Sequence, residues 1–340
     1  MNSSNLNASP KPSQFATLFK RGPEAYGEDQ CFREEGWHVW CGSILEDPKD
    51  GKFHLYYSRW PVSEGYDAWG THSEIAHAVG DSLVGPFTYV ETIFQREKNS
   101  SRWDAHCFHN VTVKAFGGRY FLYYMGNRGD GDWWNHRNNQ RIGVAVADSP
   151  SGPWHRQSQP VIDVSPGAWD GLMVSNPTVA DAGDGRFLMI YKGVAEGTMP
   201  FGGRVLHGLA WSDRPDGPFV KEPYPIFDYK NADFGFEDPF LWREGRSFYC
   251  LVKDMGGTLS PSGETELLLL QSEDGIHWSP SKPLQVLGRR LENRNGKTIA
   301  FERVERPHFF QDSRGTLTLL VAVKPEDPEE PSCNIRLVYR

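Results

Sequence analysis

Several features are scarce in these 340 residues. No dense run of Lys or Arg occurs, and the most basic stretches, 288–297 and WHRQ at 154–157, are mixed with acids or amides. With a formal net charge of −8, this argues against nucleic acid and membrane as partners. No apolar run approaches the length of a transmembrane helix. No long stretch shows helical periodicity. The five cysteines, Cys31, Cys41, Cys107, Cys250 and Cys333, are odd in number and lack CxxC or metal-type spacing. That excludes a fully paired disulfide set and a zinc-type site. Cys107 and Cys250 fall within strand-like runs and read as buried thiols. The N-terminus, MNSSNLNASPKPSQ, has no apolar core of a signal peptide. The expectation is a soluble, cytoplasmic protein, or a periplasmic or secreted one if a leader has been removed.

What is abundant is turn residues and aromatics: 35 Gly, 24 Pro, 12 Trp and 13% aromatic residues overall. They are ordered in repeats. A turn phrase recurs as GDSLVGPF (80–87), ADSPSGPW (147–154) and SDRPDGPF (212–219), with a degenerate SEDGIHW at 272–278. Its prolines, Pro86, Pro153 and Pro218, are 67 and 65 residues apart. A second phrase joins a polar residue, an apolar run, a Gly-containing turn and a strand rich in Tyr, Phe and Leu. Its five copies, anchored at Ser43, Val111, Pro177, Pro239 and Pro307, are spaced by 68, 66, 62 and 68 residues. The DG, GG, EG and RG turns supply the positive φ of a tight hairpin. Each unit therefore reads as a hairpin, an apolar third strand, a Gly-Pro turn and a short fourth strand such as FTYVETIF (87–94). Four antiparallel strands repeated five times predict an all-β, five-bladed β-propeller.

Residues 1–13 read as disordered, and 14–340 as one propeller domain. FATLFK (15–20) has strand character, while the last repeat ends at 334–340 without a fourth strand. An N-terminal strand closing the ring is the expected solution, because it removes an open edge. The segments 64–73, 127–141 and 289–302 exceed hairpin length and read as loops over one face.

In a propeller the first strand of each blade lines the central channel. The residues just before each apolar run are Cys41-Gly42-Ser43, His109-Asn110, Ser175-Asn176, Glu237-Asp238 and Glu305-Arg306. Amides, carboxylates, an arginine and a histidine would thus converge on one axis, as a polar channel plug or as a site for a sugar-like ligand. Asp104 and Asp170 each follow a Trp and stand six residues before Asn110 and Asn176; Asp233 has a similar place. They read equally as turn-capping or catalytic carboxylates. Glu237 reads as a general acid, its pKa raised by the neighbouring Asp238.

The phrases EDPFLW, HNVTV and ADSPSGPW resemble five-bladed β-propeller glycoside hydrolases, closest to families 43 and 117, with distant kinship to families 32, 62, 68 and 130. The resemblance implies hydrolysis of a glycosidic bond in an oligo- or polysaccharide by an inverting acid/base mechanism. It implies Glu237 as acid. A first-blade base is missing, because Gly42-Ser43 stands where family 43 has an Asp. Asp170, then Asp104, Glu305 and Glu74 are the replacement candidates. Trp40, His106, His109, Asn110, Asn176, Asp238, Glu305 and Arg306 would shape the sugar subsite. No cofactor is required by this reading, although the resemblance allows a structural calcium near His308. The alternatives are a non-catalytic saccharide-binding propeller and a phosphorylase similar to family 130, for which Arg306 and His308 offer a thin phosphate site.

Overall fold

The computed structural model describes residues 13–229 and 232–340. Five antiparallel sheets follow one another along the chain, each of at least four strands. Blade one contains Trp37–Glu46, Phe53–Pro61, Glu74–Gly80 and Phe87–Phe94. Blade two begins with Cys107–Phe116 and Arg119–Asn127, blade three with Met173–Asp181 and Phe187–Val194, and blade four with Phe236–Glu244 and Ser247–Asp254. Blade five is built from Thr298–Gln311, Leu317–Pro325 and Cys333–Tyr339. This is the expected five-bladed propeller. Among the described residues no helix is long and apolar enough to cross a membrane.

The ring closes through an N-terminal strand, but not through 15–20. Ala16–Arg21 is a helix. Phe15 and Phe19, four residues apart, share one face and pack on Phe309 with centroids at 4.6 and 5.7 Å. That spacing suits a helical turn against a blade rather than a strand. The closing strand is Cys31–Phe32, which pairs with Ile335 and Asn334 on the last strand. The disorder expected for 1–13 lies outside the described residues except at Ser13, whose hydroxyl donates to Glu244 Oε1 at 2.6 Å. The segment 289–302 is less a loop than a hairpin arm, with Arg290–Glu292 pairing onto Thr298–Ala300.

The two repeated phrases keep register because they touch each other across blades. Tyr56 donates its hydroxyl to the Pro150 carbonyl at 2.6 Å, and the equivalent Tyr123 to the Pro215 carbonyl at 2.5 Å. Each tyrosine stands on a second strand, and each proline belongs to the next blade's turn phrase. The Gly-Pro turns repeat in shape: Gly85, Gly152 and Gly217 have φ of 93°, 79° and 84° and precede cis prolines. Between the blades lies the core, with Leu55, Leu122, Leu188 and Leu251 wholly buried. Cys107 and Cys250 are buried thiols, as expected.

Candidate active site

The channel is built from one irregularity repeated five times. In every first strand, two residues oppose one on the second strand. The breaks fall between Trp40 and Ser43, His109 and Thr112, Ser175 and Thr178, Glu237 and Phe240, and Glu305 and His308. These are β-bulges, which re-aim side chains near sites. Of the residues read from sequence as strand beginnings, Glu237, His109 and Ser175 are the second or third of their strands, whereas Cys41 and Glu305 lie further in. A bulge interrupts the two-residue alternation, and in sequence that interruption looks like a strand end.

At each bulge a non-glycine residue adopts a left-handed backbone: Cys41, Asn110, Asn176, Asp238 and Arg306, with φ between 52° and 54°. Asn and Asp tolerate this region, whereas Cys and Arg are strained there. Side-chain bonds between blades hold the conformation. The Cys41 thiol donates to Asn110 Oδ1 at 3.3 Å, Asn110 Nδ2 to Asn176 Oδ1 at 2.5 Å, and Asn176 Nδ2 to Asp238 Oδ1 at 2.7 Å. Arg306 closes the series from the other side, its Nη1 and backbone N–H each donating to Asp238 at 3.2 Å. Burial pushes the Cys41 thiol up to about 12, so it stays protonated and can donate.

Above this polar ring opens a pocket with about 440 Å³ of free space, partly open to solvent. Trp40, Trp60, Tyr66 and Trp69 line it. Lys192, Glu237, Glu305 and Arg306 also line it, and Arg303 does so beside Tyr66. His109 is a further lining residue, its Nδ1 2.8 Å from the Ser73 hydroxyl. Burial, helped by Arg306 and Lys192, holds its pKa well below the ordinary value, so the imidazole is neutral.

The acids sit in two equivalent ion pairs. Lys192, on the second strand of blade three, reaches Glu237 on the first strand of blade four, Nζ to Oε1 2.7 Å. Lys253, on the second strand of blade four, grips Glu305 on the first strand of blade five. The two carboxyls nevertheless titrate in opposite directions. Burial raises Glu237, but Lys192 and Lys253 outweigh it and, with His207, hold it at about 2. Burial also raises Glu305; Lys253 opposes this, while the charges of Asp238 and Glu237 add to it, and the pKa ends above the ordinary 4.5. Glu237 was expected to be raised by Asp238. The two lysines, unseen in that reading, reverse the sign.

Asp104 and Asp170 lie away from the pocket. Asp104 is fully buried, accepting from Arg102 Nε at 2.9 Å, the Tyr124 hydroxyl at 2.7 Å and Arg156 at 3.2 Å. Asp170 repeats the pattern with the Tyr191 hydroxyl at 3.0 Å and Lys221 at 2.5 Å. A Cβ on Gly126 or Gly193 would come within 2.7 or 2.6 Å of the Asp104 or Asp170 Cβ. The recurrent Trp-Asp is thus a packing unit within the blades, and Asp233, which is exposed, does not share it. Glu74 accepts from Arg59 Nε at 2.8 Å, also outside the pocket.

Trp40, His109, Asn110, Asn176, Asp238, Glu305 and Arg306 line the pocket beside Glu237. His106 does not. Its Nδ1 lies 2.8 Å from the Gly129 carbonyl, where it anchors the loop after blade two's second strand. His308 Nε2 accepts the Ile44 amide at 3.2 Å, and the Phe240 ring lies 4.7 Å away. Those neighbours do not fit a calcium shell, and no group of three or more His, Cys, Asp or Glu that could hold a metal occurs among the described residues.

Trp60, Tyr66, Trp69, Lys192 and Arg303 were missed in the sequence, as was Lys253 beneath Glu305. The lysines left a signal. Ser58, Met125, Lys192, Lys253 and Ala322 are the second-strand partners of Trp40, His109, Ser175, Glu237 and Glu305. Carrying the repeat register onto the second strand would have placed both lysines beside the acids. Tyr66 and Trp69 come from a short helical excursion at 62–72, which no repeat predicts.

No protein-family profile and no curated protein sequence matches the chain. Solved structures do match. One is BT0996, in an RGII complex, at TM-score 0.69 and 12% identity, with 96% of each protein covered. Zg3597, a family 117 glycoside hydrolase of the marine bacterium Zobellia galactanivorans, matches at TM-score 0.61 and 19% identity over 94% of this chain and 87% of that one. A family 43 β-xylosidase/α-arabinofuranosidase from a compost microbial metagenome, in complex with xylotriose, matches at TM-score 0.56 and 15% identity over 88% and 91%. The chain therefore shares the fold of five-bladed β-propeller glycoside hydrolases. Identities this low establish the fold alone.

Proposed function

We propose that the protein is a glycoside hydrolase that holds one sugar in the central pocket and cleaves its glycosidic bond between Glu305 and Glu237. The observation that carries this reading is the placement of two carboxyls at equivalent bulge positions of adjacent blades, both lining the pocket, in surroundings that shift them in opposite directions. Glycosidic cleavage needs one carboxyl that keeps its proton and one that has lost it. Glu305, raised, protonates the leaving oxygen. Glu237, ionised, takes the proton of the attacking water, which gives inversion. Lys192 occupies Oε1 of Glu237 and leaves the second oxygen to act. The partly exposed Tyr66 and Trp69 rings offer apolar surface for a sugar, and Asn110, Asn176 and Arg306 supply polar groups on the channel side. Xylotriose in the family 43 structure supports a saccharide as the ligand class.

One observation favours a second reading. Both acids are already paired with lysines, which suits a saccharide-binding module that performs no chemistry. The two readings part on one experiment. Wild-type protein is incubated with a panel of aryl glycosides and oligosaccharides, and the first-formed anomer is followed by NMR. Hydrolysis with inversion that is lost in both Glu237→Gln and Glu305→Gln supports the enzyme. Retention of anomeric configuration would make Glu237 the nucleophile. Saccharide binding without turnover would establish the binding module.

A further inference from the structure

The cations at the pocket are held unequally. Lys192 is matched by Glu237, Lys253 by Glu305, and Arg306 by Asp238 at 3.2 Å. Arg303 is held more loosely, in two longer ion pairs. Its nearest carboxylate oxygens, on Glu302 and Glu305, are 3.6 and 3.7 Å away, beyond hydrogen-bond length. Glu302 is already engaged by Lys324, and Glu305 by Lys253. The Arg303 side chain is 42% exposed and lines the pocket, with its guanidinium 5.4 Å from the centre of the Tyr66 ring. Lys324 stands over the same ring at 4.7 Å. A second cation, Arg137, lies close enough to Glu237 to feel its charge, yet donates to neutral acceptors, Asn138 Oδ1 at 2.8 Å and the Phe201 carbonyl at 3.1 Å.

A guanidinium that faces the pocket with no carboxylate at hydrogen-bond distance keeps donors free for a ligand. A neutral sugar gives Arg303 no counter-charge. A carboxylate does, and the planar guanidinium matches it in two-pronged geometry.

We propose that this pocket binds an oxyanion through Arg303, and that the sugar it holds carries that oxyanion as a carboxylate, as in a hexuronic acid. This rests on the reading of the pocket as a sugar site, but not on its turning anything over. Inorganic phosphate offers the same oxyanion chemistry from a free source, so the test separates the two.

The test is binding, read by ligand-observed NMR at low ionic strength. The probes are galacturonate, glucuronate, galactose, glucose and inorganic phosphate, and the proteins are wild type, Arg303→Met and Arg303→Lys. At least one uronate is expected to bind about tenfold or more tighter than its neutral hexose, the range for charge-assisted hydrogen bonds. Arg303→Met should abolish that margin. Arg303→Lys should keep part of it, and added salt should shrink it. Phosphate binding that Arg303→Met removes, with no uronate preference, would keep the oxyanion site and assign it to a free ion. Uronates and phosphate binding no better than hexoses, or a margin that survives Arg303→Met, overturns the proposal. A chain that binds uronate but cleaves no glycoside would defeat the hydrolase reading and leave this one standing.

Discussion

Glu237 and Glu305 occupy the same bulge position of successive blades, and the Lys253 partnered with Glu305 also helps to hold down the pKa of Glu237. One lysine thus acts on two acids. Glu237 has a second lysine, Lys192, and Glu305 does not. That asymmetry separates the pair into a proton holder and an ion.

The separation sets a pH profile. Glu305 must stay protonated to act, so the rate should fall on the alkaline side as pH rises through its pKa, which lies above the ordinary 4.5. Glu237, at about 2, must be ionised, so no acid limb should appear between pH 3 and 4.5. Stability follows the same groups. Glu305 binds its proton more tightly folded than unfolded, so its contribution is present below 4.5 and is lost as pH rises through the folded value. Glu237 contributes above 4.5, and that contribution is lost as pH falls towards 2. Initial rates and urea midpoints across pH check both statements. A steep acid limb near pH 4 would contradict them.

Lys192→Met should move the acid limb. With its 2.7 Å partner gone, Glu237 remains buried and keeps the weaker influence of Lys253 and His207, so its pKa should rise. A new loss of rate at low pH is expected, with a stability cost of about 1–3 kcal/mol from the broken pair. An unchanged pH profile would show that Lys192 does not set the Glu237 charge.

Asp104→Ala should destabilise without touching the chemistry. It would remove the carboxylate shared by Arg102, Arg156 and the Tyr124 hydroxyl, leaving Arg156 its pair with Glu97 and Arg102 the Gln157 carbonyl. Removing one partner of a buried ion pair costs about 3–5 kcal/mol. Chemical denaturation gives the loss, and kcat measured in the cold on folded protein should match wild type. A folded variant with kcat reduced a hundredfold would return Asp104 to the mechanism.

The closure of the ring is tested by removing residues 1–32. That bares the last strand, which now pairs with Cys31–Phe32, and leaves an open edge. A lower melting temperature and concentration-dependent association by gel filtration are expected. A monomer as stable as the full chain would mean that the strand closes nothing.

Much of this was legible in the sequence. The Gly-Pro turn and the Tyr-rich second strand gave the blade count, because each pair bonds across a blade interface, as Tyr56 does to Pro150. The pocket residues Glu237, Glu305, Arg306, Asn110 and Asn176 were found because the bulge breaks the apolar pattern at a fixed place. The role of Asp104 was not legible: a buried Trp-Asp packing unit and a catalytic acid have the same residues at the same spacing. The sign of the Glu237 shift was hidden for another reason. Sequence shows the adjacent Asp238, but Lys192 lies 45 residues away and meets Glu237 only across two blades. The aromatic wall of Tyr66 and Trp69 comes from a segment present in one blade alone, where repeat reasoning has nothing to align.

The measurement that tests the account most directly is a carboxyl titration by ¹³C NMR, with Glu237 and Glu305 assigned from their Gln variants. It needs no substrate. The account predicts that the Glu305 resonance titrates above 4.5 and that Glu237 stays ionised down to about pH 2. Glu237 titrating above Glu305 would contradict it, because the proton would then sit on the wrong acid.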